Sequence, residues 1–230
     1  MLLNKLKKFI VVTGHYGCGK TNFSINLAID YINMGHKVTL VDMDLVNPYF
    51  RTSDYRDILE EKGIEVIAPV FGHTNLDIPS LPAAMYSIFE KEDIVIVDVG
   101  GDDVGATVLG RFRPKFENLD FDMLYVVNKY RNMTATPLEC VEVLREIEAV
   151  SGLKATSVIN NSHMMSDTDA NVLGEGLKFA EGVSEITGLP IMASTLRKDL
   201  YADSDMRSVL SSGADENMIY PVDIYVKAVW

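Results

Sequence analysis

The residues with the plainest chemistry are Gly14-His15-Tyr16-Gly17-Cys18-Gly19-Lys20-Thr21. They match in full the spacing G-x-x-x-x-G-K-[ST] of a phosphate-binding loop. Glycines at these intervals let successive backbone N–H groups turn toward one anion, and a helix beginning at Lys20 or Thr21 adds its positive end. The Lys20 ammonium would reach the terminal phosphates and the Thr21 hydroxyl would ligate magnesium, with Asn22 completing the stretch expected to touch nucleotide. Next come Asp42 and Asp44, two residues apart after Val41 and so on the same side of an extended chain. One carboxylate can support a metal's water shell while the other orients an attacking water, although solvated turn aspartates would give the same pattern. A third group is Ile94-Val95-Ile96-Val97-Asp98-Val99-Gly100-Gly101, an apolar run that delivers Asp98 to a magnesium ion. Its two glycines let backbone approach a terminal phosphate.

These groups need a scaffold, and the hydrophobic pattern supplies one. Short Val- and Ile-rich runs predict strands over Phe9 to Thr13, Lys37 to Val41, Glu65 to Ala68, Ile94 to Val99, Met123 to Val127, Thr156 to Ile159 and Ile191 to Ala193. Most lack alternation, as strands covered on both faces should. Helical periodicity lies between them, over Thr21 to Met34, Pro137 to Val150 and Val172 to Ile186, the last two closed by Gly152 and Gly188. The expectation is α/β, with a mostly parallel central sheet of about seven strands and helices on both faces, in a single domain over residues 1–230. The irregular stretches Asn47 to Arg56 and Phe71 to Pro82 are candidate functional loops.

The loop, the Asp42-x-Asp44 pair and the Asp98-Val99-Gly100-Gly101 strand end together resemble the nucleotide-binding domain shared by the MinD, ParA and CobQ/CobB families. The resemblance implies a P-loop NTPase fold in which the strand bearing Asp98 lies beside the strand that feeds the loop. It also implies roles. Lys20 would hold phosphate and act in catalysis, Thr21, Asp42 and Asp98 would hold magnesium, and Asp44 would position the hydrolytic water. One position departs from the pattern. His15 stands where MinD and ParA proteins carry a second lysine that reaches a partner subunit's nucleotide. An imidazole is shorter and supplies little charge at neutral pH, so slow basal turnover is expected unless Arg51 or a partner supplies the cation.

Asn160 and Asn161 end the sixth strand, where the resembled families commonly place an adenine-reading asparagine; a turn pair would look the same. Asn128-Lys129-Tyr130-Arg131 is similar to the guanine-reading N-K-x-D. However, Arg131 replaces the carboxylate that must accept from the guanine edge, and a guanidinium cannot accept, so ATP and ADP are favoured over guanine nucleotides. Tyr49, Phe50 and Arg51 suit either phosphate sensing and partner contact or plain loop anchoring. His73 receives no role. Cys18 fits a position that needs only a small side chain.

Composition limits the rest. With 33 acidic against 21 basic residues the net charge is −12, which disfavours binding to nucleic acid or to an anionic membrane surface. The two cysteines form no ligand cluster, consistent with a reducing, cytoplasmic setting. The apolar stretch Pro221 to Trp230 has a single lysine, too few for a basic membrane-binding face, so core packing is expected. Besides a nucleotide-binding module with negligible hydrolysis, two functions stand against each other. One is a MinD/ParA-like magnesium-dependent ATPase acting as a switch, with a second copy or another protein as partner. The other is an ATP-dependent ligase or amidotransferase domain resembling CobQ/CobB or dethiobiotin synthetase.

Overall fold

A computed structural model describes residues 2–44, 55–68, 84–201, 203–213 and 218–226. Tyr49, Phe50, Arg51, His73 and almost all of the two irregular stretches lie outside the described residues. The strands are β1 (Phe9–Thr13), β2 (Val38–Met43), β3 (Glu65–Ile67), β4 (Ile94–Val99), β5 (Phe121–Val127), β6 (Ser157–Asn160), β7 (Ile191–Arg197) and β8 (Ile219–Val222). They form one eight-stranded sheet in the order β3-β2-β4-β1-β5-β6-β7-β8. Every neighbouring pair is parallel. The strand bearing Asp98 therefore lies directly beside β1, as the resemblance implied.

Both faces of the sheet are covered, which is why its central strands carry no polar alternation. Residues of β1, β2 and β4 are buried throughout. Ile10, Val12, Leu40 and Ile96 pack with Phe23 and Leu27 of α1 (Lys20–Asn33). Val11, Val95, Val97 and Tyr125 face the other way. They meet Leu109 of α4 (Asp102–Gly110), Leu144 of α6 (Pro137–Ser151) and Val183 of α7 (Ala170–Thr187). The buried Tyr125 hydroxyl is satisfied by donating to the Cys140 carbonyl at 2.7 Å.

Helix boundaries follow their caps. Thr136 and Glu139 form a reciprocal capping box before Pro137, and Gly152 closes α6 in the left-handed region at φ 69°. Asp169 accepts from the Val172 N–H at the start of α7, and Gly188 ends it at φ 72°. The structure adds what periodicity did not reveal: the eighth strand and several short helices, α2 (Arg56–Glu61), α3 (Ala84–Ser87), α4, α5 (Arg113–Phe116) and α8 (Ser204–Gly213). In β8, Pro221 interrupts the pattern of a strand. It is tolerated because β8 is the sheet's edge, where a missing N–H costs no ladder bond on the open side. Beyond it Tyr225 and Val226 pack against the α1 side of the core, so the described part of the apolar C-terminal stretch is a packing element.

Candidate functional site

The loop spans the end of β1 and the first turn of α1. Gly19 is the helix's N-cap at φ 94° and contributes no side-chain cap, so the positive end of α1 opens onto the loop, where an anion is favoured. Glycine is required here for a second reason. A Cβ on Gly19 would lie 2.2 Å from Asn161 Nδ2. That amide donates to the Cys18 carbonyl at 2.7 Å, while its oxygen accepts from the Thr195 hydroxyl. The end of β7 thus holds the loop in shape through Asn161. Lys20 is only 7% exposed, and its ammonium donates to the His15 carbonyl at 3.0 Å, which holds the charge over the loop. Cys18 is buried against Gly14, and burial raises its thiol pKa, which disfavours the reactive thiolate and leaves it the steric role expected.

The carboxylates converge from β2 and β4. Asp42 and Asp98 are register partners on these adjacent parallel strands, 0% and 1% exposed. Asp42 Oδ1 accepts from the Asp44 N–H at 2.9 Å, and Ser24 Oγ lies 3.5 Å from Asp98 Oδ1. The glycine pair after Asp98 allows the rest. A Cβ on Gly100 would fall 2.9 Å from Asp44 Oδ1, and one on Gly101 would fall 2.8 Å from the Tyr16 backbone. The fold therefore brings the loop, the Asp42–Asp44 pair and Asp98 into one cluster. The donors fit magnesium, a hard cation that takes one or two carboxylates and completes its shell with water and phosphate. Among the described residues no group of three or more His, Cys, Asp or Glu could hold a metal ion by itself.

The opposite flank is built by the loops after β5, β6 and β7. Asn160 donates to Ser194 Oγ at 3.2 Å and accepts from the Ser162 N–H at 3.1 Å, so both ends of its amide are engaged within the protein. Asn128 accepts from the Tyr130 N–H at 3.0 Å and shapes the turn that presents Arg131. Asn22 lines a cavity beside the loop and is also engaged by the chain after β8. Its amide donates to the Asp223 carbonyl and accepts from the N–H groups of Tyr225 and Val226, tying the chain after β8 to α1. The same cavity is lined by Asn161, Ser162, His163, Thr195 and Arg197. Burial, then Arg131 and Arg197, push the His163 pKa down to about 4. Its Nδ1 accepts from the Met165 N–H, which assigns the remaining proton to Nε2, the nitrogen nearest Gly19.

Sequence reasoning missed Ser24, Thr195 and His163. Ser24 was findable, since four residues after Lys20 is one helical turn on the same face. Thr195 and His163 had no such signal, because only the strand order brings β6 and β7 to the loop.

The same architecture occurs in known structures. The signal recognition particle receptor FtsY from Elizabethkingia anophelis superposes with TM-score 0.54 at 20% identity, covering 91% of this chain and 68% of that one. Signal recognition particle 54 kDa protein from Aeropyrum pernix, in complex with GDP, gives TM-score 0.54 at 19% identity over 88% of this chain and 48% of that one. The chain has the P-loop NTPase fold. Among curated proteins, signal recognition particle 54 kDa protein from Sulfurisphaera tokodaii is 35% identical over 100 residues, which are 42% of this chain. That match spans only 21% of the relative's own length. No family model matches the chain. Among the described residues no helix is long and apolar enough to cross a membrane.

Proposed function

We propose that this chain is a magnesium-dependent nucleotide switch that binds ATP at the Gly14–Thr21 loop and hydrolyses it slowly until a partner protein or a second copy assists. The observation that carries this reading is the in-register pairing of buried Asp42 and Asp98 beside the loop, with Asp44 held against Gly100. Carboxylates delivered by two adjacent strands beside a phosphate loop are the oxygen donors that a hard divalent cation takes alongside phosphate and water. Thr21, Asp42 and Asp98 would hold magnesium, which supplies neutralisation of phosphate charge when bound. Lys20 would bind phosphate, and Asp44 would orient the attacking water. Asn161, with Asn160 behind it, would face the base from the β6 side, since their bonds within the protein do not exhaust two amides.

The base is where residues and relatives diverge. The Aeropyrum relative is in complex with GDP, which favours a guanine nucleotide as the second reading. Against that, the N-K-x-D pattern lacks its closing carboxylate, since Arg131 stands in its place, so the sequence supplies no acceptor there for the guanine edge. A MinD/ParA-like role rests on the three motifs, whereas the structural relatives are signal recognition particle proteins; both fit a switch that acts through a protein partner.

The test is single-turnover hydrolysis of ATP and GTP by the wild type, Lys20→Ala and Asp44→Asn. Lys20→Ala should lose nucleotide-dependent thermal stabilisation. Asp44→Asn should bind within a few-fold of wild type but turn over at least tenfold more slowly. Full turnover by Asp44→Asn would remove the water-orienting role, and faster hydrolysis of GTP would install the second reading.

A further inference from the structure

Arg131 has no role in the site as described, yet it lies against the phosphate loop. A Cβ on Gly17 would come within 3.7 Å of Arg131 Nε and 4.0 Å of its Cζ, so the guanidinium covers that stretch of the loop. Its charge reaches the groups on either side. It opposes protonation of His163, after burial, and it adds to Lys20 in countering the upward push that burial gives the Cys18 thiol.

The guanidinium is also unmatched. Arg131 Nε is buried without a hydrogen-bond partner, and among the described residues no carboxylate pairs with the group. The contrast with Arg197, which pairs with Asp199, and Arg56, which pairs with Glu60, is informative in a chain with 33 acidic residues. A buried, unsatisfied N–H on a charged group is costly and calls for an acceptor. Guanidinium is donor-only, with a planar fork that matches phosphate oxygens.

Topology says where that acceptor comes from. β1 lies between β4, which carries Asp98, and β5, whose following turn carries Arg131. The loop therefore has an anionic flank suited to metal on one side and a cationic flank on the other. We propose that Arg131 is a phosphate-binding residue, taking a phosphate oxygen of the bound nucleotide from the β5 side of the loop, opposite the metal carboxylates. The assignment rests on the reading of the loop as a nucleotide site.

The experiment measures binding of a fluorescent magnesium-nucleotide and its competition by inorganic tripolyphosphate, which has no base, in the wild type, Arg131→Ala, Arg131→Lys and Lys20→Ala. Arg131→Ala should weaken tripolyphosphate competition at least tenfold, and Arg131→Lys should recover part of it. The ratio of ATP to GTP affinity should stay the same. The ligand-free melting temperature of Arg131→Ala should not fall, since the substitution removes an unmatched donor rather than a made contact. Unchanged tripolyphosphate competition with an altered ATP:GTP ratio would make Arg131 a base-facing residue and overturn the proposal. A lower ligand-free melting temperature with unchanged competition would make it structural and overturn it too. A wild type that binds neither nucleotide nor tripolyphosphate would overturn the nucleotide reading itself.

Discussion

His163 makes the site's electrostatics measurable without any ligand. Its imidazole is half-buried beside Gly19, and burial together with Arg131 and Arg197 holds its pKa at about 4, against 6.5 for a free histidine. Between those values the unfolded chain binds a proton that the folded chain refuses. Stability is therefore full above pH 6.5 and is lost as the pH falls toward 4. A gap of about 2.5 pH units at about 1.4 kcal/mol each sets a ceiling of about 3.5 kcal/mol, of which about 2 is already lost at pH 5. Partial exposure of the ring screens the two guanidinium charges, so about 1–2 kcal/mol is the expected loss between pH 8 and pH 5. The perturbation is His163→Gln, which keeps a donor and removes the titration. Urea unfolding of both proteins at pH 8, 6 and 5 isolates the effect, since the carboxylates titrate alike in each. The wild type should lose about 1–2 kcal/mol more than the variant on acidification. Equal losses would refute the reasoning, and with it the burial of this ring beside two positive charges. Arg131→Ala should move the same titration upward, read directly from the imidazole proton resonance.

Two further substitutions separate the roles of neighbouring contacts. Gly100→Ala puts a methyl 2.9 Å from Asp44 Oδ1 and 3.2 Å from Asp44 Cα, so turnover should fall at least tenfold while nucleotide affinity, measured by titration, changes by a few-fold at most. Asn22→Ala removes three bonds to the backbone of residues 223–226 and should cost about 1–3 kcal/mol of stability in urea unfolding, with less than a threefold change in nucleotide affinity. The reverse pattern for Asn22 would return it to the nucleotide contacts.

The loop, the Asp42–Asp44 pair and the strand ending in Asp98 were legible in the sequence because each is local. Anion binding at a helix start needs glycines and a lysine at fixed spacing, and a strand buried on both faces announces itself by an unbroken apolar run. Pro137, Gly152 and Gly188 are local signals too, and they bounded α6 and α7 to within a residue or two. β8 was hidden by Pro221, a strand breaker everywhere but at an edge, and being an edge is a property of the sheet rather than of the strand. Asn22 stands in sequence like a loop residue, yet the path of the chain after β8 decides that its amide holds backbone 200 residues away. The pairing of Asp42 with Asp98 follows from β2 lying in register beside β4. The neutral imidazole of His163, the Asn161 brace on Cys18 and the unmatched guanidinium of Arg131 follow from β5, β6 and β7 lining up on the other side of β1. Sequence determines which groups can do chemistry, because that depends on atoms and near neighbours. Tertiary structure decides which charges face each other, because electrostatics and desolvation depend on distance through space and not along the chain.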